Sequence, residues 1–115
     1  MARFRFALLV ALGLVLMISS LAVSQDLDAQ RLDMIHQLQQ RGIFGDIKIP
    51  GDVPHLYVKP AFHTLDFDKK NAFVGVVFAY YFADDPDHGM VIVYDNQTDK
   101  KIGTFCKQDG GLKLD

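Results

Sequence analysis

Residues 66–89 read Asp66-Phe-Asp-Lys-Lys-Asn-Ala-Phe-Val-Gly-Val-Val-Phe-Ala-Tyr-Tyr-Phe-Ala-Asp-Asp-Pro-Asp-His-Gly89, and the fold turns on whether this stretch is helix or strand. Residues 72–83 form a near-unbroken apolar run, opened by a charged segment and closed by an acidic, proline-containing one. Phe73, Val76, Val77 and Tyr80 stand at the helical spacing i, i+3, i+4, i+7, and Asp66 or Asp68 can cap a helix that starts beside them. The run also outlasts the usual strand of about five to six residues. Val, Phe and Tyr favour strands, however, and Val74, Val76, Phe78, Tyr80 and Phe82 alternate as a strand face would. Periodicity alone does not separate the two in so apolar a stretch. The charged lead-in has the make-up of an N-terminal helical turn, and it decides for a helix over residues 68–82.

The flanking segments read more directly. Residues 26–41 form an amphipathic helix, with Leu27, Met34, Ile35 and Leu38 on one side and Leu32 on its flank. Ser24 or Asp26 can cap its start, Arg41 suits its negative end, and Gly42 is the natural stop. Ile47-Lys48-Ile49 and Leu56-Tyr57-Val58 are β-prone triplets around the turn chemistry of residues 50–54, which predicts a hairpin. Pro50, Pro54 and Pro60 are expected to keep both strands short and at a sheet edge. A second hairpin is expected from residues 90–95 and 101–106, joined by the polar residues 96–100. Asp109-Gly110-Gly111 turns the chain again before Leu112-Lys113-Leu114, a candidate terminal strand. The expected fold is a small single α+β domain in α-β-β-α-β-β order, with two helices on one antiparallel sheet.

Ahead of this domain the chain carries an export signal or an anchor. Arg3 and Arg5 precede an apolar run over residues 6–18, followed by a small-x-small site at Ala22 and Ser24. That is the layout of a signal peptide spanning residues 1–24 and leaving a domain of residues 25–115. An uncleaved anchor over residues 4–23 is the competing reading, since that stretch holds no charge beyond Arg5 near its start and is long enough for a bilayer core of about 30 Å. Both readings export the domain, to the periplasm or outside the cell or on the outer side of a membrane. The only membrane contact they imply is through residues 4–23.

Composition narrows the function classes. Half the residues are apolar, which is too many for a disordered chain. The 14 acids, all Asp, outnumber the 12 Lys and Arg, and no basic cluster follows the first five residues, so nucleic-acid binding is not expected. The only Ser residues are Ser19, Ser20 and Ser24 at the signal boundary, which leaves no serine nucleophile in the domain. No phosphate loop and no cofactor motif is present. Cys106 has no partner in the chain and reads as a small buried side chain at a strand end, with an intermolecular disulfide as the alternative.

Three constellations remain. Asp85, Asp87 and His88 sit in the loop before Gly89 and offer hard oxygen donors on a turn, but the full calcium-loop pattern is absent. His63 with Asp66 or Asp68 could form a base and its orienter. The aromatic end of the central helix offers the third: a helix apolar nearly all round leaves Phe78, Tyr81 and Phe82 as candidates for a binding surface. The preferred reading is a non-enzymatic exported domain that binds a protein partner or itself. Its alternative is a metal-binding or metal-dependent hydrolytic protein using residues 84–88.

Overall fold

A computed structural model describes residues 19–115, with side-chain surroundings from residue 26 onward. The signal-peptide or anchor reading of residues 1–24 therefore lies, up to residue 18, outside the described residues. The chain divides into two units, residues 1–30 and 31–115, and the sheet with its core belongs to the second.

Helix α1 (Ser19–Gln40) is already under way at Ser19, so Ser24 and Asp26 are interior positions and do not cap it. Nothing in residues 19–26 breaks a helix. Among the described residues no helix is long and apolar enough to cross a membrane. The C-terminus of α1 closes as expected: the Ile43 N–H reaches back to the Leu38 carbonyl (3.0 Å) and the Gly42 N–H to that of Gln39 (3.2 Å). Gly42 can do this because its φ is 77°, in the left-handed region. Of the predicted stripe, Ile35 and Leu38 are buried, whereas Leu27 and Met34 are exposed.

Strands β1 (Phe44–Lys48) and β2 (His55–Val58) form the first hairpin, with a short 3-10 turn at Pro50–Asp52 between them. Helix α2 (Pro60–His63), which the sequence reading missed, starts on Pro60 and buries Phe62. Helix α3 (Phe67–Tyr81) follows, capped by Asp66, whose Oδ1 accepts from the Lys69 N–H at 2.8 Å. Strands β3 (Val91–Asp95) and β4 (Lys101–Cys106) make the second hairpin, and β5 (Gly111–Leu114) adds the terminal strand. The result is a small compact α+β domain with three helices and a five-stranded mixed sheet.

The sheet runs in the order β1-β2-β3-β4-β5. Every neighbour pair is antiparallel except β2–β3, which is parallel with Leu56 opposite Val93. This corrects the expected all-antiparallel sheet, and it moves β2 from the edge to the interior. The reason is that Pro54 and Pro60 flank β2 without entering it, so its ladder donors survive; the Pro54 carbonyl even accepts from the Ile92 N–H at 3.0 Å. A parallel pair needs a crossover of about a dozen residues or more. Residues 59–90, with α2 and α3, provide it.

Helix α3 meets the sheet on a stripe of Asn71, Val74, Gly75 and Phe78, again at i, i+3, i+4, i+7 but shifted from the expected one. Val74, Val77 and Phe78 are buried, while Phe73, Val76 and Tyr80 are half-buried on the flank. Two contacts lie on this face. Gly75 faces the Phe105 ring, which would stand in ordinary van der Waals contact, 3.4 Å, with a Cβ there. The Asn71 Oδ1 accepts from the Leu112 N–H at 2.9 Å, which fastens the helix to β5. Beneath it lie Phe44, Leu56, Val58, Phe62, Val91 and Val93, all fully buried.

The amide of Asn71 also occupies one backbone donor at a sheet edge. At the other edge the Gln39 Nε2 donates to the Gly45 carbonyl in the bulge of β1, at 3.1 Å. Asn71→Leu, similar in size but without the acceptor, should cost about 1–3 kcal/mol for an unmet buried donor and increase aggregation. Asn71→Asp keeps the acceptor and should lose less. Urea unfolding and light scattering of the two variants check this, and equal losses would show that the bond is incidental.

Candidate functional site

The acidic loop divides its donors between two partners. After α3 ends, the His88 Nδ1 binds the Asp85 Oδ1 at 2.8 Å, while the Asp87 Oδ1 is 2.9 Å from the Lys107 Nζ. Asp85 and Asp87 thus serve different partners, and Lys107 comes from beyond β4, where no local motif shows it. Among the described residues no three His, Cys or Asp side chains converge as metal ligands. Gly89 is glycine for a reason other than turn geometry: its Cβ would run into the Phe82 ring. Hydrogen bonding to Asp85 raises the His88 pKa, and the bond to Lys107 lowers that of Asp87.

Cys106 closes β4 and is buried, as expected for a small apolar side chain. It lines a cleft of about 210 Å³ together with Asp87, His88, Met90 and Gln108. Its thiol donates to the Asp109 Oδ2 at 3.2 Å. A nucleophilic thiol is helped by a neighbouring cation, and the group at hydrogen-bond distance here is a carboxylate. The expected pairing of His63 with Asp66 or Asp68 does not form either. Asp66 is occupied as the α3 cap, and His63 approaches Asp95 at 3.6 Å. Asp95 also accepts from the Thr98 hydroxyl at 2.9 Å, which is the main cause of its lowered pKa.

The aromatic residues proposed as a binding surface divide between core and rim. Phe78 is only 8% exposed and packs on Phe82 and Phe105, with ring centroids 5.4 and 5.1 Å away. Phe82 is half-buried against the Gly89 backbone. Tyr81 is half-buried beside Tyr80, edge to face at 5.1 Å, and burial raises its pKa. Phe78 is a packing residue, and Tyr80, Tyr81 and Phe82 are half-buried around it.

A surface not singled out in the sequence lies on the opposite side of the sheet. Along β2 and β3 burial alternates: Leu56, Val58, Val91 and Val93 enter the core, and His55, Tyr57, Ile92 and Tyr94 point the other way. None of these four belongs to the core cluster or packs against it. The register aligns Lys48, His55, Ile92, Thr104 and Lys113 in one row across all five strands. Tyr57, Tyr94 and Lys101 form the next row. The two tyrosine rings stack at 5.3 Å with an interplanar angle of 20°, His55 leans on Tyr94 at 4.9 Å, and the Lys48 Nζ lies over the Tyr57 ring at 4.9 Å. With their faces turned to each other, the rings offer edges and hydroxyls outward. The period-2 spacing of His55 with Tyr57, and of Ile92 with Tyr94, was the available signal.

No known protein family, curated protein or solved structure matches this chain.

The Asp85–His88 pair gives a test of the loop geometry. A raised histidine pKa means that the bond stabilises the fold fully below the unfolded value of about 6.5 and is lost as pH rises through the folded value. An NMR titration should place the His88 midpoint above that of a free histidine, and Asp85→Asn should return it. An unshifted His88 would mean that the pair does not form in solution.

Proposed function

We propose that the domain acts outside the cytoplasm as a small non-enzymatic association module, and that the sheet face bearing Tyr57 and Tyr94 engages its partner. One observation carries this reading: a cross-strand cluster of two tyrosines, a histidine and a lysine occupies a sheet face that contributes nothing to the core. Aromatic cross-strand pairs do stabilise sheets, by about 0.2–1 kcal/mol each, so some of this cluster serves the fold. Tyrosine is also a rigid contact residue with a polar tip, enriched where proteins meet. The export part of the proposal rests on Arg3, Arg5, the apolar run after them and the Ala22–Ser24 spacing.

The sheet edges support a face as the docking surface. Strand addition needs free backbone groups on an edge. The bonds from Asn71 to β5 and from Gln39 to β1 occupy one such group on each side.

A photo-activatable cross-linker placed at Tyr57 or Tyr94 in the producing cells should yield discrete adducts. The same probe at Ala72 or Lys69, on the exposed side of α3, should not. Tyr94→Glu should leave the far-UV spectrum and unfolding midpoint close to wild type while abolishing the adducts. Adducts that are equal at all positions, or absent from Tyr57 and Tyr94, would overturn the proposal.

A further inference from the structure

We infer that the partner of this face is an acidic polypeptide segment, an inference that rests on the association reading above. The paired positions of the face carry three lysines, Lys48, Lys101 and Lys113, and no carboxylate. Asp46 lies in the β1 bulge and Asp115 just beyond β5, both outside the paired register. The chain as a whole has an acid excess, 14 Asp against 12 Lys and Arg. Yet among the described residues none of these three lysines has a carboxylate within ion-pair distance. The ion pairs of the described residues lie elsewhere, between Asp85 and His88, Asp87 and Lys107, and Asp95 and His63. Among the described residues the three lysines of this face therefore meet no carboxylate of the chain, and Lys48 lies over the Tyr57 ring instead.

The spacing and the residue type say what would fit. Lys48 and Lys113 stand on opposite edge strands in one cross-strand row, four strand spacings or about 19 Å apart. An extended segment of about six residues covers that distance. The middle of the row is Ile92 and Thr104, with the Tyr57 and Tyr94 hydroxyls in the next row, so an apolar or hydrogen-bonding side chain can lie between the charges. No arginine stands among the paired positions. Arginine grips phosphate with two parallel bonds, whereas lysine acts as a point charge. Separated ammonium groups suit separated carboxylates better than clustered phosphates.

The test uses the full chain, ¹⁵N-labelled and held in zwitterionic micelles, titrated with an oligo-glutamate of about ten residues, about 35 Å when extended. Amide shifts should concentrate along the row from Lys48 to Lys113 and weaken as salt rises. Lys48→Gln and Lys113→Gln should each reduce affinity about two- to fivefold, as expected for an exposed ion pair, and Lys69→Gln should change nothing. Shifts on this face that require phosphatidylglycerol in the micelles would overturn the inference in favour of a lipid surface. Shifts that grow with protein concentration alone would overturn it in favour of a second copy of the chain. If oligo-glutamate leaves the face untouched while cross-links at Tyr94 persist, the acidic partner is wrong and the association reading stands. If the cross-links are absent as well, both fail.

Discussion

The parallel pairing of β2 with β3 is the constraint from which the rest of the architecture follows. Two neighbouring parallel strands cannot be joined by a tight turn, so the chain between them must leave the sheet, cross one face and return. The apolar run of residues 72–81 meets that requirement as a helix, the usual form of such a crossover. The crossover sends α2 and α3 over the same face, where Phe62, Val74, Val77 and Phe78 meet the inner side chains of the strands. It also places a hairpin on either flank, β1–β2 on one and β3–β4 continuing to β5 on the other. The far face carries the residues left over from the alternation.

What could be read from the sequence was local. Asp66 and the charged residues after it identified α3, and the cap bond to Lys69 is the one expected. Both hairpins, the Gly42 stop and the terminal strand rest on turn residues next to the elements they end. The parallel pair was not legible, since no residue near His55 or Val91 announces a partner so distant in the chain. The inner face of α3 was misjudged for a related reason. Twelve apolar positions offer several nearly equal faces, and the choice among them belongs to Phe105 and Leu112, which arrive from other strands.

The same distinction governs the candidate sites. Asp85 and Asp87 look like a pair of donors along the chain, yet Lys107 takes one and His88 the other. Phe78 looks like surplus apolar surface until Phe105 covers it. The tyrosines on the far face become a cluster only when β2 and β3 lie side by side with Tyr57 opposite Tyr94. Alternation in each strand was visible, but which strands would be neighbours was not.

The separation of β2 from β3 along the chain also sets an order of events in biosynthesis. The β1–β2 hairpin can close in microseconds once residue 58 is free. The strand that pairs with its inner edge begins only at Val91, and at about 5–20 residues per second it takes a few seconds to be made. Through that interval one edge of β2 has no neighbour, although the helices that cover Leu56 and Val58 are made before β3. The nascent chain is at its most adhesive then, and a chaperone or an export factor acting on it would meet this half-built sheet before any of its finished surfaces exist.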